Sequence, residues 1–201
     1  IWVWTGSWNL TDPGTADDMQ NAIEIQDEAL AGAYTLEFNE MWGSESETPS
    51  ALTARFGARK RDNTPHVFNI GGTPVELYFS PSDRTTSAIM KTVSRAQHSV
   101  NVALLTFTRS DIASALTAKK DGGLKVRVLL DNNADIGTQF GFLTSAGIEV
   151  RLDPSTAGLL HHKYAVVDAE LNGLSQYVIT GSHNWTKSAE NSNNENTLII
   201  Q

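Results

Sequence analysis

The chain has no cysteine. That excludes disulfides and thiolate metal sites without fixing a compartment, since exported proteins also often lack Cys. Lysine and arginine are missing from residues 1–54, which carry ten Asp and Glu, whereas the rest of the chain holds 15 basic and 13 acidic side chains. The net charge of −8 therefore belongs to the first quarter. A nucleic-acid binder usually carries a basic stripe. Here only Arg55, Arg59, Lys60 and Arg61 cluster, in a stretch that reads as a solvated linker rather than a phosphate-binding patch. No apolar run approaches the ~18 residues of a membrane span. Residues 1–9 lack the basic region and apolar core of a signal peptide. Few lysines beside abundant Asn, Ser, Thr and Trp point towards export, secreted or periplasmic rather than cytoplasmic.

Against these absences stands one dense stretch. Residues 161–168 read HHKYAVVD, which is His161-x-Lys163-x-x-x-x-Asp168. Its apolar middle reads as a buried strand. Alternate residues of a strand share a face, so His161 and Lys163 point one way and Asp168 the other. Twelve residues later come Gly181-Ser182-His183-Asn184-Trp185-Thr186, then Asn194-Glu195-Asn196. If that segment is extended, Ser182 and Asn184 also share a face. An imidazole, an ammonium, a hydroxyl and an amide gathered at one spot suit attack on a phosphodiester. A neutral imidazole can attack phosphorus and form a covalent intermediate, and cationic and amide donors can hold the oxygens as charge builds. A separate acid must protonate the leaving oxygen, so this chemistry calls for a second histidine.

HxKxxxxD followed by GSxNWT and NEN resembles the signature of the phospholipase D superfamily. The resemblance implies that His161 is one of two catalytic histidines and that Lys163 and Asn184 bind the phosphoryl oxygens with Ser182 nearby. It also implies that Glu195 orients a histidine from a facing repeat. Asp168, off the histidine face, reads as structural, and His162 as a packing residue. No cofactor or metal is implied. Asp131, Asn132, Asn133 and Asp135 fit no calcium-loop spacing and read as the start of a capped helix.

The motif occurs twice. With an offset of 175, Val3, Thr5, Gly6, Ser7, Asn9, Thr11, Asn21 and Ile25 match their later counterparts, eight identities in 23 positions. This is an internal repeat. Ser7 and Asn9 are thereby expected to complete the phosphate cradle, while Gln20 stands where the second copy has Glu195. The histidine of the first copy would lie about fifteen residues before Ile1. The sequence thus reads as a truncated first repeat (1–43), a linker (44–72) and a second repeat (73–201), with the second histidine expected from an upstream segment or another chain.

A helix is expected over 26–42, its Leu30, Tyr34, Phe38 and Met41 stripe in a core. Strands are expected over 75–79, 99–107, 125–131 and 148–152. Helices are expected over 84–97, over 110–120 with Ser110 or Asp111 as cap, and over 135–145. This alternation predicts an α/β sandwich with a mixed sheet, the fold the resemblance also implies. The leading functional expectation is hydrolysis or transfer of phospholipid head groups through a phosphohistidine, with transient contact to a membrane surface. A nuclease using the same site, or an inactive half-site scaffold or binding module, are the alternatives.

Overall fold

In the computed structural model, residues 1–155, 157–170, 172–173 and 175–201 are described. The chain opens with strand β1 (Val3–Gly6), a single turn of helix α1 (Asp12–Ala16) and strand β2 (Ala22–Ile25), which pairs antiparallel with β1. Helix α2 (Glu28–Trp42) follows. Asp27 caps its start by accepting from Leu30 N at 2.7 Å, and Gly43 ends it in the left-handed conformation that glycine adopts without a Cβ clash.

A second, eight-stranded sheet contains β3 (Val67–Ile70), β4 (Thr73–Ser80), β5 (Ser99–Leu104), β6 (Lys125–Leu130), β7 (Glu149–Leu152), β8 (Lys163–Val167), β9 (Tyr177–Gly181) and β10 (Glu195–Ile200). Its order is β3-β4-β10-β9-β8-β5-β6-β7. The β5–β6–β7 edge is parallel and the other pairs are antiparallel, so the sheet is mixed, as the sequence pattern predicts. Helices α3 (Thr85–Arg95), α4 (Ser110–Asp121) and α5 (Phe140–Ser145) bury Ile89, Val93, Ile112, Leu116 and Leu143 with Val100, Val102, Val126 and Val128. On the other side, α2 and β1 bring Leu30, Ala33 and Val3 against Phe68, Val75, Leu77, Phe79 and Leu198. Each fully buried Leu or Ile contributes about 1.5–3 kcal/mol. Among the described residues no helix is long and apolar enough to cross a membrane.

Several expectations are corrected. The stretch expected as linker contains β3, which forms a hairpin with β4 across Gly71-Gly72. Lys60, expected to be solvated, is 7% exposed, ion-paired with Glu37 and donating to Ser80 O at 2.7 Å. Phe38 is not core. It is 54% exposed and stacks on Trp42 at the far end of the helix, while the buried positions of α2 are Leu30, Ala31, Ala33 and Glu37. Neither Ser110 nor Asp111 caps α4: Arg109 holds the cap position, and Asp111 is taken by the Arg109 guanidinium. The last helix before β7 begins at Phe140 rather than 135, because Gly137 turns the chain at a positive φ of 82°. The 99–107 strand ends at Leu104, and Phe107 instead bridges to Trp185.

Candidate active site

The two GSxN segments fold alike and lie against each other. Helix α6 (Lys187–Asn191) lies between β9 and β10 just as α1 lies between β1 and β2. Thr11 and Thr186 cap the two helices with backbone angles within a degree of each other. Gly6 and Gly181 sit at φ 151° and 150°, and a Cβ on either would lie 2.2 Å from the carbonyl oxygen of Asn21 or Asn196. Only glycine permits that approach. Ser7 and Ser182 each engage the asparagine beyond it: Asn21 N donates to Ser7 Oγ and Asn196 N to Ser182 Oγ, both at 3.1 Å.

Where β1 and β9 meet β8, a cavity of about 230 Å³ is lined by Gly6, Ser7, Trp8, Asn9, His161, Lys163, Ser182, Asn184 and Glu195. A larger hollow over Trp2, Tyr34 and Phe38 has a mainly apolar lining and no such set of polar groups. The tertiary structure thus brings His161, Lys163, Ser182, Asn184, Glu195, Ser7 and Asn9 to one place. Asp168 lies apart. Its carboxylate accepts from Gln97, His98 and Ser99 N at 2.7–2.8 Å, tying the end of β8 to the start of β5.

His161 Nδ1 lies 2.9 Å from Ser7 O and 3.0 Å from Gln20 Oε1. Gln20 Oε1 also accepts from Asn9 N, and Gln20 Nε2 donates to Gly14 O, which fixes the amide's orientation. Both neighbours of Nδ1 are therefore acceptors. The network assigns the proton to Nδ1 and leaves Nε2 as the lone-pair nitrogen. Burial pushes the His161 pKa down, and the Lys163 ammonium pushes the same way; the Ser7 carbonyl, Asp18 and Asp131 oppose.

Lys163 is 4% exposed and donates to His161 O at 2.9 Å. Burial lowers its pKa to about 8, against the pull of Glu195, Asp18 and Asp131. Ser182 Oγ accepts from both Asn196 N and Asn196 Nδ2, so its own hydrogen is left to donate, whereas Ser7 gives its hydrogen to Asn21 Oδ1. Glu195 Oε1 accepts from Asn193 Nδ2 at 3.2 Å. His162 lies edge-on to Tyr164, with Nδ1 3.2 Å from Asn21 Oδ1; its pKa is lowered by burial, then by Lys163 and His161.

Sequence reasoning missed three participants. Trp8, the variable residue of the first GSxN, lines the cavity, while its counterpart His183 is 2% exposed with Nε2 3.4 Å from Glu190 Oε2. Asp18 and Asp131 hold the backbone leading into His161. The offset of 175 marks Trp8, but no local signal marks the two aspartates.

The chain belongs to the phospholipase D superfamily: residues 89–201 match the family described as cardiolipin synthase, PLD-like domain. It is 41% identical over 120 residues to the mitochondrial cardiolipin hydrolase of Xenopus tropicalis, covering 59% of this chain and 54% of that protein. The chain spans somewhat more than half the length of the curated relatives it matches first. Among solved structures, Nuc from Salmonella typhimurium, a phospholipase D family member, superposes with a TM-score of 0.54 at 31% identity, covering 63% of this chain and 81% of that one. Phosphatidylserine synthase from Haemophilus influenzae, 13% identical, shares the fold with a TM-score of 0.59 over 90% of this chain and 50% of its own.

Proposed function

We propose that this chain supplies one histidine half-site of a phosphodiesterase that cleaves phospholipid head groups. The observation that carries this reading is His161, its Nδ1 proton held by Ser7 and Gln20, beside Lys163, Ser182 and Asn184 in one cavity. His161 Nε2 attacks phosphorus and a P–N bond forms as the bond to the leaving oxygen breaks. A second histidine, from an H-x-K segment facing this one, protonates that oxygen. Water then attacks phosphorus, gives its proton to the second histidine and releases His161; an alcohol in its place gives head-group exchange. Lys163, Ser182, Asn184 and Asn9 hold the phosphoryl oxygens, while Ser7, its hydroxyl hydrogen given to Asn21, lines the cradle and accepts from His161 through its carbonyl.

The partners of the two rings divide the roles. A neutral amide beside His161 favours the neutral nucleophile, whereas the Glu195 carboxylate stabilises an imidazolium and suits the proton donor. Phospholipid is favoured by the similarity to proteins named cardiolipin hydrolase. Exposed Met19 and Leu159, which flank Gln20 and the His161 loop, suit contact with a lipid surface.

The test is turnover of phosphatidylcholine and cardiolipin vesicles, set against single-stranded DNA, by the protein that carries this sequence. Lipid cleavage that His161→Asn abolishes, with an acid-labile phosphohistidine trapped on the native protein, is the expected result. DNA cleavage without lipid turnover, or full activity in His161→Asn, overturns the reading.

A further inference from the structure

Residues 158–160 lead straight into His161, and they are held from two sides. Leu159 N donates to Asp18 Oδ1 at 2.9 Å, and Leu160 N donates to Asp131 Oδ1 at 2.8 Å. Met19 N returns a hydrogen bond to Leu159 O at 2.9 Å, and Met19 bridges to Leu160 in parallel fashion. Gly158 packs so closely that a Cβ there would lie 2.1 Å from Asp17 O. Asp18 lies between α1 and β2, on the first GSxN copy, and Asp131 lies at the end of β6. Two carboxylates from distant parts of the chain therefore fix the loop that carries the ring.

The repeat makes Asp18 more telling. The offset of 175 places Asp18 on Asn193 and Gln20 on Glu195. Each copy holds one carboxylate and one carboxamide two residues apart, in opposite order. In the second copy the carboxylate lines the cavity and Asn193 donates to it. In the first the carboxamide touches His161 and the carboxylate grips the loop beside it.

We propose that Asp18, supported by Asp131, is the positioning residue of His161: it holds the 158–160 loop and supplies the negative charge that Gln20 does not. The proposal rests on His161 being the reacting imidazole, but its test needs no turnover. The charged and titratable groups acting on the ring are Lys163, Asp18 and Asp131, with His162 adjacent in the chain and Glu195 across the same cavity. Of these, Asp18 and Asp131 oppose the downward pull of burial and Lys163.

Four variants separate charge from hydrogen bonding. Asp18→Asn keeps an acceptor for Leu159 N and removes the charge. Asp18→Ala removes both. Gln20→Glu puts a carboxylate at the ring, and Asp18→Asn with Gln20→Glu reproduces the order of the second copy. Histidine titration by NMR should find His161 lower than native in Asp18→Asn, higher in Gln20→Glu, and restored to the native value or above in the double variant. The Leu159 amide should exchange about tenfold faster or more in Asp18→Ala but not in Asp18→Asn. A His161 midpoint unmoved by Asp18→Asn overturns the proposal, as does native protection of Leu159 in Asp18→Ala. If Asp18→Ala does not fold, the other three variants decide by the same titration. Titration shifts as expected without any phosphodiester cleavage would sink the proposed function and leave this inference standing.

Discussion

Thr5 donates its hydroxyl to Asn196 Oδ1 at 2.7 Å, and the repeat-related pair closes the same contact in reverse, Asn21 Nδ2 donating to Thr180 Oγ1 at 2.8 Å. Thr5 and Thr180 are one position of the repeat, and Asn21 and Asn196 another. The two copies are thus stitched together by a reciprocal pair of hydrogen bonds directly behind the serines of both GSxN motifs. Tyr34 adds a third contact, its hydroxyl 3.1 Å from Asn196 Oδ1.

Thr5→Val should lower stability by about 1 kcal/mol, the net worth of one hydrogen bond. A double-mutant cycle with Asn196→Ala, followed by urea unfolding, should show clear coupling between the two sites. Additive effects would mean that the contact contributes nothing across the junction.

Gly181→Ala should cost about 2–4 kcal/mol, because φ is 150° and the new Cβ would meet Asn196 O at 2.2 Å. Gly6→Ala meets Asn21 O at the same distance and should behave alike. Thermal unfolding of both variants is the check. Gly71→Ala provides a contrast, since open space surrounds that position and the penalty there comes from its positive φ alone.

The pH dependence follows from the two neighbours in the HxK motif. In the proposed mechanism His161 attacks as the neutral imidazole, and burial lowers its pKa, so the acid limb of kcat/KM should fall below the usual histidine value of about 6.5. Lys163 must be charged to hold an anion, and its pKa of about 8 places the alkaline limb there rather than near 10.5. Vanadate or phosphate binding followed by NMR should weaken as the pH rises through about 8. For stability the sign is opposite. The unfolded lysine stays protonated between about 8 and 10.5 while the folded one does not, so the penalty of burying its charge is relieved over that window as pH rises.

Lys60→Met should destabilise the fold by about 3–5 kcal/mol, because it leaves Glu37 buried without its counter-ion. Burial already raises the Glu37 pKa, and Lys60 opposes that rise. Replacing both, Lys60→Met with Glu37→Leu, should recover most of the loss in a denaturant titration. A double variant no better than the single one would show that the pair does more than neutralise itself.

The α/β alternation was readable because each core strand carries its own apolar run and each helix its own period. The residues 125–130, KVRVLL, need no partner to be recognised as a strand. The strand at 67–70 escaped notice because it is short and follows a polar, proline-containing stretch. Only its pairing with β4 defines it. Phe38 has the period of a core residue and is nonetheless exposed, since which flank of a helix is buried depends on what packs there.

The site divides in the same way. The sequence by itself marked the groups that meet in the cavity, because HxK, GSxN and their repeat are local patterns whose spacing states which side chains share a face. It also determined that Gln20 replaces the expected carboxylate. Only the tertiary structure decided that Gln20 meets His161, 141 residues away, and that Asp18 reaches the backbone of Leu159 across the same separation. Nothing in either segment alone signals such contacts. They arise when burial of apolar faces presses β1 and α2 onto the large sheet, and each polar group carried inside must then find a partner.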